Sequence, residues 1–347
     1  MAWQWLFYRK KPDTCTKYGY TFEVGPQHLS KDDTAHMKMG FDRLGEMALN
    51  RLNVLCPPQP STRQSFEASK NLTADGVPES ASPQPLKRDL YLLLRDHASQ
   101  DEVLGQLWAE SNVIPSWVCW EQIGRGQDVF YRYGGPALTG LAFQSLLGGM
   151  GATRVVETLT RTGGFSTKVA RHRLLETTQH ILQCTRDLRS IQPGGAGHAS
   201  SIRVRLLHAA VRQRIVKLAQ EKPGYYDVLS LGYPINDLDC VATIGAFSAT
   251  LIWLSFPRQG IWLRRKEIED YIALFRYIAY LIGTPHEYFE NPERAKVMME
   301  TLLRDEISPS DTSRILASNV LNSLEGQPPT FASRSFLEAN CRAPPAR

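Results

Sequence analysis

The sequence lacks a Cys-x-x-Cys pair, a glycine-rich phosphate loop, a nucleophile elbow and an internal repeat. Its cysteines are few and far apart along the chain: Cys15, Cys56, Cys119, Cys184, Cys240 and Cys341. Neither a zinc site nor a disulfide framework is therefore predicted, and we expect reduced thiols. The other absences exclude the best-known fingerprints of nucleotide-binding proteins, hydrolases and helical solenoids.

Charge of one sign is not concentrated anywhere in the chain. The 40 Lys and Arg residues exceed the 35 Asp and Glu residues by only five, and they are scattered along the sequence. Nucleic-acid binding usually requires basic residues clustered on one face or in one arm. We therefore predict no nucleic-acid partner.

Long apolar segments are scarce as well. Residues 1–11 become charged too soon to provide the apolar core of a signal peptide. The longest apolar run, residues 240–256, is near the minimum length for a membrane span and contains four Ser and Thr residues, which favours a buried core helix. We expect an intracellular protein, cytoplasmic or associated with the ER membrane. The aromatic and basic residues at 3–11 leave peripheral membrane association and packing on the domain as open alternatives.

The chain is instead rich in helical periodicity, which predicts an all-α fold with a single large helical domain. We divide it into residues 1–85, a helix and a Pro/Ser-rich loop; residues 86–305, the helical domain; and residues 306–347, a helix and an unstructured tail. A first helix at 31–55 follows Ser30 as its N-cap, and Asn236 or Asp237 caps a later one. Residues 1–30 are predicted to be irregular. The remaining helices are predicted at residues 89–97, 99–111, 136–147, 154–161, 166–187, 202–221, 237–256, 265–283, 291–303 and 308–324.

His208 is the most informative single residue, within RVRLLHAAVR at residues 203–212. On a helical wheel it lies at the edge of an apolar stripe, with Arg205 and Arg212 next to it. An imidazole in this setting suits a haem ligand, and the two arginines suit haem propionates. A lone histidine on an amphipathic helix is also commonly a hydrogen-bonded core or boundary residue, so both interpretations stay open on this motif alone. The stripe consists of Val204, Leu207, Val211, Ile215 and Leu218.

Three segments in sequence order carry a family resemblance: RVVETLTRTGGF at 154–165, RHRLLETT at 171–178, and the His208 helix followed by GYPINDLD at 232–239. Together they resemble the catalytic domain shared by rubber oxygenase, or latex-clearing protein, and the fungal ER-bound oxygenases that cleave a prenyl side chain in mycophenolic acid biosynthesis. The upstream VIPSW at 113–117 and RGQ at 125–127 resemble the fungal branch. The resemblance covers residues 110–290.

The resemblance implies a globin-like helical core and a b-type haem whose iron is bound by His208, with O₂ as co-substrate. Carried over residue by residue, it implies that Glu157 is a general base toward an allylic proton of the substrate. It also implies that Arg173 and Thr177, four residues apart on one helical face, bind a haem propionate or oxygen.

Glu176 departs from the rubber-cleaving pattern, which has a lysine immediately before the threonine. The substitution reverses a charge beside the proposed site and argues against polyisoprene as the substrate. We therefore expect a haem-dependent oxygenase of fungal secondary metabolism, which cleaves or oxidises an alkene in a hydrophobic terpenoid or polyketide-derived molecule.

Two other functions remain open. Glu176, His180 and His208 would approximate the two-histidine, one-carboxylate set of a non-haem iron oxygenase. The second alternative is an all-α interaction protein that has lost its catalytic activity, because a fold does not by itself imply an activity.

Overall fold

The computed structural model describes residues 13–58, 88–163, 165–328 and 331–342. Its architecture is all-α, as predicted from the sequence. Most of the predicted loop at 56–86 and the aromatic and basic cluster at 3–11 lie outside the described residues. The main helices are α1 Lys31–Met39, α2 Arg43–Leu55, α3 Leu90–His97, α4 Glu102–Asn112, α5 Trp120–Arg132, α6 Gly134–Gly140, α7 Thr153–Thr162, α8 Thr167–Thr185, α9 Ala196–Glu221, α10 Asp237–Phe247, α11 Arg265–Ile282, α12 Pro292–Asp305, α13 Asp311–Leu324 and α14 Arg334–Arg342.

A β-hairpin corrects the prediction that residues 1–30 are irregular. Strands β1 (Thr14–Lys17) and β2 (Tyr20–Glu23) pair antiparallel, with Cys15 opposite Phe22. The two turn residues, Tyr18 and Gly19, both have positive φ, 51° and 73°, as a type I′ turn requires. Strands of four residues are too short for sequence periodicity to reveal.

The helix ends confirm two predicted caps. The Ser30 side chain accepts a hydrogen bond from the Asp33 backbone N–H in a capping box, and Asn236 accepts one from the Asp239 N–H. The predicted single helix at 31–55 is wrong, because the chain becomes extended at Gly40 and restarts after Asp42. A Cβ at Gly40 would collide with the Asp237 carboxylate, so this break fits against the start of α10.

Two of the main helices, α5 and α14, were absent from the prediction. α5 packs along α11 so closely that a Cβ at Gly126 would collide with the Asp270 carbonyl oxygen. Glycine lowers helix propensity, so its presence argues against a helix when only the sequence is considered. Gly126 is needed here because its lack of a side chain lets the two helices approach closely. The tail predicted to be unstructured contains α14, whose Leu337 is buried.

Two predicted α-helices contain π-helical segments, at Leu141–Leu146 and Leu251–Ser255. The second follows a break at Ser248, so the apolar run at 240–256 is two elements, with Leu251 and Phe256 fully buried. No single helix in the described ranges is long and apolar enough to cross a membrane. Asp237–Phe247 and Leu251–Arg258 reach that length and composition only as a pair, which is bent by 41°.

Helix α9 lies between the two main apolar clusters. One cluster surrounds α11 and includes Ile181 and Cys184 of α8. The other joins α2, α3 and α4 to Ile202 and Leu206 of α9. One face of α9 therefore packs on α2, and another packs on α8.

Candidate functional site

Helices α8 and α9 form an antiparallel hairpin with a defined register. The Cys184 thiol lies 3.5 Å from the Ser201 hydroxyl and 3.6 Å from the Gly197 carbonyl oxygen, and His180 Nδ1 lies 2.9 Å from Ser200 Oγ. Seven residues, or two turns, along each helix from the Cys184–Ser201 contact are Thr177 and His208, about 10 Å away along the axis. This register places His208 at the level of Thr177.

The hairpin is less tightly packed at that level. Ala170, Ile181 and Cys184 share one helical face with Thr177 and are 0 to 3% exposed, whereas Thr177 is exposed. The exposure of Thr177 indicates looser packing of the hairpin at this level. We use the term hairpin gap for the part of the hairpin at the level of Arg173, Thr177 and His208.

His208 is partly exposed in this gap and makes no hydrogen bond or ion pair with any residue that the structure describes. Desolvation lowers its pKa from 6.5 to about 4, aided by the positive charge of Arg212 and by His180 and opposed by Asp42. A neutral imidazole with a free ring nitrogen is the form that binds a metal. The imidazole is thus a boundary residue with no described hydrogen bond, and its role as a ligand stays a prediction.

Arg173 is the second available group in the gap. Within the described parts of the chain its guanidinium has no hydrogen bond and no carboxylate partner, and the residue is partly buried. The Thr177 hydroxyl donates to the Arg173 carbonyl oxygen at 3.0 Å, back along the helix. A partly buried cation without a counter-ion favours an anionic group nearby.

Arg205 and Arg212 point away from the gap, into the interface with α2, and both side chains are 3% exposed. Arg205 binds the Asp42 carboxylate at 2.7 and 2.8 Å and Glu110 at 2.8 Å. Arg212 binds Glu46 at 3.2 Å and the Ile235 carbonyl oxygen at 2.9 Å. The role predicted for both at a haem stays a prediction, and in this structure their donors hold α9 to its neighbours.

The burial of Arg205 and Arg212 also corrects the apolar stripe that was predicted for α9. Leu207, assigned to the stripe, is 45% exposed, whereas the two arginines are buried. Carboxylates from α2 and from Glu110 of α4 allow arginine to occupy the buried face.

Glu157 lies on α7 and forms an ion pair with Arg161, four residues along the same helix. Arg161 Nε also donates to the Tyr225 carbonyl oxygen at 2.8 Å, which fixes the guanidinium. In the described chain no hydrogen bond or ion pair connects Glu157 to the gap residues. Helical register thus places Arg173 and Thr177 at the level of His208, and no described hydrogen bond or ion pair joins Glu157 to any of the three.

The non-haem iron alternative is not supported. Glu176 Oε1 lies 3.3 Å from His172 Nε2 on the outer surface, with its side chain 47% exposed. His180 faces Ser200 instead. No three His, Cys, Asp or Glu side chains among the described residues are placed to hold a metal ion.

The depressed pKa of His208 predicts a pH-dependent stability. Between pH 6.5 and 4 the unfolded chain binds a proton that the folded imidazole does not, so the free energy of unfolding falls as pH falls, by at most about 1.4 kcal/mol per pH unit for each such histidine. His208→Gln should therefore flatten the decline measured by urea unfolding between pH 7 and 5. His172→Gln, which removes an exposed histidine, is the matched control and should retain the wild-type slope. Equal slopes in His208→Gln and wild type would contradict the burial of a neutral imidazole.

Comparison with known proteins agrees with the resemblance found in the sequence. Residues 131–346 match the model of the family described as ER-bound oxygenase mpaB/B′/rubber oxygenase, catalytic domain. Among solved structures, latex clearing protein LCP in the closed state is similar over 92% of this chain and 76% of that chain, with a TM-score of 0.64 and 16% identity, a likeness of fold. No curated protein sequence matches. The family match covers well over half of the chain and includes Glu157, Arg173, Thr177 and His208, so this chain belongs to the mpaB/B′ and rubber oxygenase catalytic-domain family of oxygenases.

Proposed function

We propose that this protein is a haem-dependent oxygenase that uses O₂ to cleave or oxidise an alkene in a hydrophobic metabolite. Membership of an oxygenase family supports the reaction class. The observation that carries the cofactor assignment is the neutral, unbonded imidazole of His208 in the hairpin gap. The placement in fungal secondary metabolism depends on the motif resemblance upstream of the family match.

The residues of the gap fit a b-type haem. Haem requires an axial ligand, which His208 would provide, and its propionates favour a cation, which Arg173 would provide. Arg212, held by Glu46 on the other side of α9, adds a positive charge that disfavours protonation of His208. When bound, haem would supply an iron that activates O₂.

Glu157 is the proposed general base. Arg161 holds one oxygen of its carboxylate, and Arg161 is itself fixed by Tyr225, so the second oxygen has a defined direction. A carboxylate oriented in this way would accept an allylic proton from the substrate at its free oxygen. Thr177 lines the gap, and its hydroxyl, donated to the Arg173 carbonyl, can still accept one hydrogen bond.

Glu176 does not place a negative charge in the gap, because it pairs with His172 on the surface. Compared with the rubber-cleaving pattern, glutamate at position 176 removes the positive charge of the lysine but does not add a negative charge at the gap. Glu176 therefore does not oppose haem binding at the gap. The proposal of a substrate other than polyisoprene rests on the absence of the lysine from the sequence motif.

Replacement of His208 tests the cofactor assignment. We expect wild-type protein mixed with hemin to give a Soret band at one haem per chain, and His208→Ala to lose that band or to bind hemin at least tenfold more weakly. Added imidazole should restore the band in the variant, because it replaces the lost ligand. His172→Ala, from the same hairpin, should behave as wild type. An unchanged Soret band and stoichiometry in His208→Ala would refute the assignment.

Two arginine substitutions separate a cofactor contact from a structural one. Arg205→Met leaves Asp42 and Glu110 without their partner and should lower the free energy of unfolding of haem-free protein by about 3–5 kcal/mol. Arg173→Met removes no described hydrogen bond or ion pair and keeps an apolar side chain, so it should change that free energy by less than about 0.5 kcal/mol. It should weaken hemin binding about tenfold, or ~1.4 kcal/mol. The reverse pattern, a stable Arg205→Met with weakened hemin binding, would assign the propionate to Arg205.

Glu157→Gln tests the proposed base. O₂ consumption by haem-loaded protein with a prenylated aromatic compound should fall about 10²-fold or more in kcat, because the amide cannot accept the proton. The Soret band should stay unchanged, since Glu157 does not bind the cofactor in this proposal. Full activity in Glu157→Gln would remove this residue from the mechanism. Absence of O₂ consumption by wild-type protein with any alkene tested would favour the inactive interaction protein.

A further inference from the structure

A second site lies in an apolar cavity of about 190 Å³. Its wall is formed by the π-helical segments Leu141–Leu146 and Leu251–Ser255 together with residues of α7, α10 and α12. Among the described residues, none from α8 or α9 lines it, so it is separate from the hairpin gap. An apolar cavity of about 150 Å³ is sufficient for a molecule the size of benzene.

Most polar side chains in the wall already have protein partners. The Tyr18 hydroxyl donates to the Gly148 carbonyl oxygen at 2.9 Å, and Ser145 Oγ donates to that of Ala246 at 2.8 Å. Thr243 Oγ1 donates to the Asp239 carbonyl oxygen at 2.8 Å, and Glu306 pairs with Arg154 and Lys38. Within the described chain the Gln144 amide and the Thr250 hydroxyl are the lining polar groups that make no side-chain hydrogen bond.

Gln144 is the informative one of these two. The residue is 7% exposed, and its Oε1 is fully buried without a hydrogen-bond partner. Its amide nitrogen also makes no hydrogen bond to the residues that the structure describes. A buried amide oxygen left unbonded costs about 1–3 kcal/mol, and native proteins almost always provide such groups with a partner.

We propose that this cavity binds an uncharged, mainly apolar molecule with one hydroxyl or N–H group, which donates a hydrogen bond to Gln144 Oε1. The apolar wall excludes a charged ligand, because the one charged group there, Glu306, is already paired with two cations. A single water molecule is a poorer occupant, since a buried water usually makes about three hydrogen bonds. The π-helical segments on two sides support a binding role, because such segments occur frequently at functional sites.

The proposal does not require haem, so haem-free full-length protein is the sample. The probes are 1-octanol and its isomer 1-methoxyheptane, which has the same atoms but no donor, titrated calorimetrically. We expect 1-octanol to bind about tenfold more tightly to wild type. That preference should disappear in Gln144→Leu, which keeps a similar side-chain size, and in Gln144→Met, a second variant in case the first does not fold.

Thr243→Val is the matched control. The Thr243 hydroxyl also lines the cavity but, unlike the Gln144 amide, has a protein partner, the Asp239 carbonyl oxygen to which it donates, so the variant should keep the tenfold preference for 1-octanol. Equal affinities of wild type for the two probes would overturn the proposal, and so would a preference that persists in both Gln144 variants. Absence of binding by either probe, together with a higher melting temperature in Gln144→Leu, would show a cavity that holds water only and would also overturn it.

Discussion

The contact of Cys184 with Gly197 and Ser201 is the interaction on which the candidate site depends. It fixes the register of α8 against α9 at one end of the hairpin, where both helices are tightly packed. Two turns away, the same register places His208 at the level of Thr177 and Arg173, where Thr177 is exposed. A one-residue slip would rotate His208 by about 100° and remove it from the gap.

The two sides of α9 differ in electrostatic character. On the α2 side, Arg205 and Arg212 are buried against Asp42, Glu46 and Glu110. On the α8 side, the imidazoles of His180 and His208 are desolvated, and burial lowers the pKa of each to about 4. The face of α9 toward α2 therefore carries arginines that are neutralised by carboxylates, whereas the face toward α8 carries uncharged imidazoles. A buried helix carrying two arginines is stable for this reason, and the histidine one turn from Arg212 remains uncharged.

The sequence predicted the features that depend on local pattern. Helices α7 and α8 lie within two residues of their predicted bounds, and α9 ends where predicted but begins at Ala196 instead of residue 202. Ser30 and Asn236 are N-caps, and the motifs identified the family. It could not predict the partners of Arg205 and Arg212, because Asp42 and Glu46 come from helix α2, more than 160 residues earlier. Helix α5 was missed because the function of Gly126 is visible only when α11 lies against it. The cavity was missed because nothing in local periodicity distinguishes a π-helical turn from an α-helical one.

The cavity depends on the number of residues in the π-helical segment Leu141–Leu146. An i→i+5 turn holds one residue more than an i→i+4 turn, so a chain shorter by one residue here would continue as a regular α-helix. Every residue after the deletion would then be rotated by about 100° relative to its neighbours, and the segment would present a different face to α10. Insertion or loss of a single residue, with no change in any lining side chain, is therefore enough to create or close this chamber.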